Sequence, residues 1–172
     1  IFSDILMIPF GLGQEVQFKK GEGPILGDLS LSKIIEAEPK EFIKKMKPVY
    51  EAINKVKEEA EGKNVIGFVG APWTLLVYML NKKSPKKNFD IESIIKDDSL
   101  IDKLLTKIEK TICLHVDNQI KAGANVIQIF DSWAGLLPKN KLEKYCYTPN
   151  LKIVNHIKNS KVPVVCFPRG IG

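Results

Sequence analysis

The stretch Ile127-Gln-Ile-Phe-Asp-Ser-Trp-Ala-Gly135 indicates the fold of this chain most directly. Its apolar run begins at Val126 and then breaks abruptly into a carboxylate, a hydroxyl, an indole and a glycine. In α/β proteins, chemistry is commonly located where buried strands end. The stretch therefore indicates a functional strand end or, as an alternative interpretation, a strand followed by an ordinary helix cap formed by Asp131 or Ser132.

Similar apolar runs recur along the chain and alternate with helical patterns. The predicted strands cover residues 1–8, 64–69, 126–130 and 162–167, with a short extended stretch at 15–18. A helical spacing of apolar residues covers 40–62, 72–80, 99–123 and 141–157. We expect Ser99 to cap the third helix and Gly123 to end it, and we expect Pro149 to break the fourth.

Continuously apolar strands are buried on both faces, so their alternation with helices predicts a parallel sheet covered by helices. Such a sheet is either open and doubly wound or closed into a barrel. The sequence has no G-x-G-x-x-G after a strand and no Walker A motif, which weakens the open, nucleotide-binding sheet. We predict the α/β class, as a partial (β/α)8 TIM barrel with about four parallel strands and intervening helices. Residues 1–172 would be a single, incomplete barrel domain that lacks N-terminal and C-terminal parts.

The composition of the 172 residues, 44% hydrophobic and 27% charged, is typical of a soluble globular protein. No apolar run reaches the ~18 residues of a membrane-spanning helix, so we predict no membrane partner. The net charge of +6 comes mostly from lysines spread along helices. The densest basic cluster, residues 82–87, contains no aromatic residue, so we predict no nucleic-acid partner. Three scattered cysteines without a C-x-x-C pair favour a reduced, cytosolic protein without a zinc site.

Polar residues follow three of the predicted strands. The carboxyl ends of all strands in a parallel barrel open on one face, so Asp4, the loop at Gly70 and Ser132 would line one mouth. Tyr78 lies one to two helical turns, at about 3.6 residues per turn, after Pro72 and could direct its hydroxyl to that mouth. A structural role stays open for two of them, as a turn cap for Asp4 and as a helix-packing aromatic for Tyr78.

Three stretches together resemble the uroporphyrinogen decarboxylase family: Phe2-Ser-Asp-Ile-Leu6, Gly67-Phe-x-Gly-Ala-Pro-Trp-Thr-Leu75 and Gln128-Ile-Phe-Asp-Ser-Trp-Ala-Gly135. They follow the order and similar spacing of the family, and the resemblance covers essentially the whole chain. Gln14 and Arg169 depart from it, since the family has Met and Lys there. The resemblance implies a (β/α)8 barrel of roughly twice this length, which works as a homodimer in the cytoplasm.

The resemblance also implies a lyase of heme (porphyrin) biosynthesis. Such an enzyme is a decarboxylase that removes CO₂ from the four acetate side chains of uroporphyrinogen III, giving coproporphyrinogen III, without metal or organic cofactor. Asp4 matches the family's aspartate, which accepts hydrogen bonds from pyrrole N–H groups and stabilises the cation formed on ring protonation. Tyr78 and Ser132 match residues that bind substrate carboxylates. Phe68 and Phe130 match apolar residues that flank the macrocycle.

Two features of the family have no counterpart in these 172 residues, an N-terminal arginine-rich loop and a late Gly-His-Gly segment. We therefore expect the isolated chain to be inactive. An alternative is a zinc-dependent corrinoid/thiol methyltransferase of the same superfamily. Those relatives carry His-x-Cys where this chain has Cys166-Phe-Pro-Arg-Gly170, which offers too few ligands for zinc. A third interpretation is a half-barrel binding module in which Asp4 and Ser132 are only caps.

Overall fold

The computed structural model describes residues 4–86, 89–93 and 95–171. Its first two strands form an antiparallel hairpin, β1 (Val16–Lys19) and β2 (Gly23–Leu26). The next three form one parallel sheet in the order β3 (Ile66–Gly70), β4 (Val126–Asp131) and β5 (Val164–Pro168). Helices connect each parallel strand to the next, which is the α/β arrangement predicted from the sequence.

Six α-helices are present in the described residues: α1 (Met7–Gly11), α2 (Leu31–Glu36), α3 (Pro39–Glu59), α4 (Pro72–Asn81), α5 (Asp98–Lys121) and α6 (Thr148–Lys158). Between β4 and α6 the chain makes shorter helical turns, two 3-10 helices and a π-helix: Ala134–Leu136, Lys139–Lys141 and Glu143–Tyr147. Pro149 lies in the first turn of α6, where its missing N–H costs no hydrogen bond. It therefore begins this helix, whereas we had expected it to break one.

The prediction of about four parallel strands is wrong for the described residues, which contain three. Residues 1–3 of the first predicted strand lie outside the described residues, and Met7–Gly11 is helical. Asp4 turns the chain into this helix because its Oδ1 accepts a hydrogen bond from the backbone N–H of Leu6 at 2.8 Å. Aspartate commonly stabilises turns by such a bond, so the turn-cap role left open for Asp4 is confirmed.

The residue that caps helix α5 lies two positions earlier in the sequence than predicted. The side chain of Asp97 accepts a hydrogen bond from the backbone N–H of Leu100 at 3.0 Å and thus caps the helix, so the prediction of Ser99 as the cap is wrong. The end of the helix is as predicted. Gly123 follows it with φ +115°, a conformation that a residue with a Cβ rarely adopts.

The sheet has one face that the helices cover and one that they leave partly open. In β4, Ile127, Ile129 and Asp131 are buried among core side chains, whereas the alternate residues Gln128 and Phe130 are half-buried. The half-buried residues of this open face differ from the expectation that continuously apolar strands are buried on both faces. β5 is an edge strand of the described sheet, and Cys166 is exposed there.

Candidate active site

Three phenylalanines form a row across the open face of the parallel sheet. The ring centroids of Phe68 and Phe130 are 6.0 Å apart, and those of Phe130 and Phe167 are 6.4 Å apart. Both pairs meet edge to face, which is a favourable geometry for aromatic rings. Phe167 remains 50% exposed. The row therefore offers an apolar surface to a flat, largely apolar ligand.

Two members of this row, Phe68 and Phe130, were predicted as site residues from the sequence, whereas Phe167 was not. The parallel register pairs Phe167 directly with Phe130, so the two side chains point to the same face. Phe167 lies one residue before the end of its strand, as Phe130 does in β4. Because both phenylalanines occupy the same position before a strand end, this position could have identified Phe167 from the sequence.

The backbone of Phe68 is held by a side chain of the long helix α5. Gln119 donates from Nε2 to the carbonyl oxygen of Phe68 at 3.0 Å and accepts from its N–H at 3.0 Å. Gln119 is 1% exposed, and hydrogen bonds of a buried side chain are stronger than those formed in water. Gly67 leaves the space for this amide, because a Cβ there would lie 2.7 Å from Gln119 Oε1.

Asp4 and Phe68 line the same groove, which has a volume of about 930 Å³ and runs between helix α3 and β3. The segment that carries Asp4 comes close to the end of β3, because a Cβ at Gly70 would be 3.2 Å from Cβ of Ile5. Asp4 is half-buried. A carboxylate at an apolar groove can accept hydrogen bonds from N–H groups of a ligand or stabilise a positive charge on it.

A buried imidazole also lines this groove. Nδ1 of His115 lies 2.9 Å from the hydroxyl of Tyr50, and burial lowers the pKa of His115 to about 4. At neutral pH the ring is therefore uncharged, and one hydrogen bond joins its Nδ1 to the hydroxyl of Tyr50, whose own pKa is raised by burial.

Tyr78 lies near the loop of Ser132, because it contacts Trp133, the residue that follows Ser132. The ring of Tyr78, on α4, meets the indole of Trp133 at 5.9 Å. The Tyr78 hydroxyl lies 3.4 Å from Oγ of Ser84, a neighbour that the sequence analysis missed. The hydroxyl of Ser132 has no hydrogen-bond partner within the part of the chain that the structure describes.

The predicted site residues thus fall into two groups at the carboxyl ends of β3 and β4. One group joins Asp4, Phe68 and Phe130 around the groove and the aromatic row. The other joins Tyr78 to the loop of Ser132. In the described residues no hydrogen bond or ring contact links Asp4 directly to the second group.

Two other kinds of site receive no support from the described part of the chain. His, Cys, Asp and Glu side chains form no group of three or more that could hold a metal ion within it. Likewise, none of its helices has both the length and the apolar character needed to cross a membrane.

The comparison with known proteins agrees with this geometry. Residues 1–172 match the family model described as "Uroporphyrinogen decarboxylase (URO-D)". The chain is 40% identical over 177 residues to a uroporphyrinogen decarboxylase of Rickettsia bellii, covering 100% of the chain and 52% of that relative. It is 37% identical over 177 residues to one of Campylobacter jejuni, covering 99% and 52%.

A third relative, the uroporphyrinogen decarboxylase of Rickettsia rickettsii, is 39% identical over 180 residues, which cover 100% of the chain and 51% of the relative. The chain therefore spans about half the length of the curated relatives it matches. Because the family model matches every residue of the sequence, the chain belongs to the uroporphyrinogen decarboxylase family.

Proposed function

We propose that this chain is about half of a uroporphyrinogen decarboxylase. A full-length protein that carries it would remove CO₂ from the four acetate side chains of uroporphyrinogen III and release coproporphyrinogen III, in the biosynthesis of heme. The single observation that carries this proposal is the family match over residues 1–172. The row of phenylalanines beside the Asp4 groove supports it, since the substrate is a large ring with apolar faces.

The proposed chemistry depends on a charge that exists only along the reaction path. Phe68 and Phe130 hold the macrocycle, Phe167 extends their surface, and the Asp4 carboxylate accepts hydrogen bonds from pyrrole N–H groups. Protonation of one pyrrole ring makes it an electron sink. The bond between the acetate CH₂ and its carboxylate then breaks and its electron pair moves into the ring. A proton adds to the CH₂ carbon in place of the departed CO₂, and the ring releases the proton that it had taken up.

Asp4 accelerates this step by electrostatics. A carboxylate fixed in an apolar groove stabilises the protonated ring more than the neutral substrate, because only the former carries the opposite charge. The ring itself accepts the electrons, so we propose that neither a metal nor an organic cofactor takes part.

Tyr78 and Ser132 are proposed to bind substrate carboxylates. The Ser132 hydroxyl supports this role because it has no partner in the described residues, and the Tyr78 hydroxyl has only a long contact of 3.4 Å with Ser84, which a ligand could replace. Hydroxyl groups that are not occupied within the protein can donate to a carboxylate, and such charge-assisted bonds are stronger than neutral ones.

The whole protein would be a closed (β/α)8 barrel formed by one domain, a homodimer and cytoplasmic. The parallel sheet β3-β4-β5 and the double length of the relatives support the barrel. Because half of that barrel lies outside these residues, we propose that the 172-residue chain alone does not turn over substrate. The zinc methyltransferase is not favoured, since the relatives are named as decarboxylases and no histidine accompanies Cys166.

The experiment is incubation of the full-length protein with enzymatically generated uroporphyrinogen III, with and without a strong zinc chelator. Products are oxidised and separated by the number of carboxyl groups. We expect coproporphyrinogen III in both arms at equal rates. No product, or product in the arm without chelator alone, would contradict the proposal, and the second result would favour a metal-dependent enzyme.

A further inference from the structure

The geometry points to Asp131 as a positioning residue, which holds the loop of Ser132 in place from the buried core side of the sheet. This inference rests on the proposed function for the identity of the ligand, but its structural part does not. The side chains of β4 alternate, so Asp131 points into the helix-covered core with Ile127 and Ile129, whereas Phe130 lies on the open face and Ser132 begins the turn after the strand. Asp131 therefore cannot meet substrate directly, and it is 1% exposed.

Three side chains from three different elements donate hydrogen bonds to the Asp131 carboxylate. Thr74 of α4 donates from Oγ1 to Oδ1 at 2.7 Å. Asn150 of α6 donates from Nδ2 to Oδ2 at 3.0 Å, and Cys146 of the π-helix donates from Sγ to Oδ2 at 3.2 Å. Burial raises the pKa of Asp131, and these three hydrogen bonds oppose that rise. The cluster, which we call the Asp131 hub, joins α4 and α6 to the end of β4.

Hydrogen bonds of Thr74 and its neighbours also hold the backbone on both sides of Ser132. Oγ1 of Thr74, while donating to Asp131, accepts the backbone N–H of Trp133 at 3.1 Å. The indole Nε1 of Trp73 donates to the carbonyl oxygen of Trp133 at 3.0 Å. On the near side, the Asp131 carbonyl oxygen accepts the N–H of Arg169 at 3.1 Å.

Ser132 is consequently fixed through both of its neighbours while its own hydroxyl has no partner in the described residues. A group whose backbone is held in advance can bind a ligand without first losing conformational freedom. Thr74 also lies one turn before Tyr78 on α4, so the same hub fixes the helix that carries the second proposed carboxylate ligand. The hub thus sets the position of Tyr78 relative to Ser132.

The test uses two nearly isosteric changes at Thr74 in the full-length protein. Thr74→Ser keeps a hydroxyl that can donate to Asp131 and accept from Trp133, whereas Thr74→Val removes both bonds. A third variant, Asp131→Asn, keeps the shape but presents an amide N–H₂ to donors. We expect kcat/KM for uroporphyrinogen III to fall at least about tenfold in Thr74→Val and Asp131→Asn and to change less than about twofold in Thr74→Ser.

A second readout does not depend on activity. Hydrogen exchange of the peptide that covers residues 131–136 reports whether the Trp133 N–H is protected. We expect its exchange to be about tenfold faster in Thr74→Val and unchanged in Thr74→Ser, since a hydrogen bond is worth on the order of 1 kcal/mol. A wild-type protein without product would contradict the proposed function, while the exchange data would still decide whether the hub holds the loop.

A control variant, Gly62→Ala in the turn before β3, distinguishes the loss of the hub from a general loss of stability. Gly62 has φ +67° and open space around it, so this change strains the backbone away from the strand ends. We expect Gly62→Ala to keep the wild-type kcat/KM at temperatures where it is folded. Two outcomes would overturn the inference: wild-type kcat/KM and exchange in Thr74→Val, or equal losses in Thr74→Val and Thr74→Ser.

Discussion

Replacement of Gly135 by alanine tests the packing of the strand-end loops. Gly135 follows Ser132 and Trp133 in the loop after β4, and its N–H donates to the carbonyl oxygen of Arg169 at 2.9 Å. A Cβ at this position would lie 2.9 Å from the carbonyl oxygen of Gly170 and 3.0 Å from that of Arg169. Both are backbone atoms, so no side chain can rotate away to make room. The loop after β4 must therefore move away from the end of β5.

The expected loss of stability follows from these contacts. Forcing an extra carbon into a packed site typically costs about 1–3 kcal/mol. The displaced loop also weakens the hydrogen bond between Gly135 and Arg169, which contributes on the order of 1 kcal/mol. We therefore expect Gly135→Ala to lower the free energy of unfolding by about 2–4 kcal/mol. The same displacement moves Ser132, so kcat/KM should fall as well.

The assay is urea unfolding of the full-length protein followed by fluorescence, together with decarboxylation of uroporphyrinogen III. Gly62→Ala is the control, because its left-handed backbone costs about 1–2 kcal/mol without a steric clash near the strand ends. We expect both variants to be destabilised and only Gly135→Ala to lose activity. An unfolding free energy for Gly135→Ala within about 0.5 kcal/mol of wild type would refute the steric argument.

Three further predictions concern the groove, the mouth and the extent of the chain. Tyr78→Phe removes the hydroxyl near Ser84, so KM for uroporphyrinogen III should rise about tenfold with little change in kcat; an unchanged KM would exclude Tyr78 as a carboxylate ligand. Because burial lowers the pKa of His115 to about 4, the unfolded chain takes up a proton between about pH 6.5 and pH 4 that the folded protein does not. The free energy of unfolding should thus fall by about 2 kcal/mol from pH 7 to pH 5, and His115→Gln should remove this part of the pH dependence; an identical slope in the variant would contradict the assignment. The isolated 172-residue chain should form no coproporphyrinogen, and any measurable rate would show that half of the relatives' length suffices.

The alternation of strands and helices was predictable because it depends on local apolar spacing. Strand β4 and the end of helix α5 at Gly123 both follow from patterns of residues that are close together in the sequence. Helix α1 was missed because the side chain of Asp4 bends an apolar run into a helix, and apolar composition alone does not distinguish these two outcomes. Asp97, and not Ser99, caps α5, and a difference of two residues is common at helix ends.

The site was predictable residue by residue but not in its connections. Phe167 needs the parallel register with β4, and the register depends on strands that are distant in sequence. The role of Asp131 needs the positions of Thr74, Cys146 and Asn150, which lie on separate helical segments. A carboxylate followed by a hydroxyl at a strand end draws attention to both residues, but only the structure shows that the Asp131 side chain is buried in the core and bonded there.

The central claim is that Asp4 stabilises a cation formed on uroporphyrinogen III. The most direct measurement is kcat of the full-length protein for coproporphyrinogen III formation, with Asp4→Asn compared with Asp102→Asn. Asp102 lies on the surface of α5, where its carboxylate pairs with Lys144 at 3.4 Å, and such exposed pairs contribute little. We predict that kcat falls at least about a hundredfold in Asp4→Asn and stays at the wild-type value in Asp102→Asn. A wild-type kcat in Asp4→Asn would contradict the account.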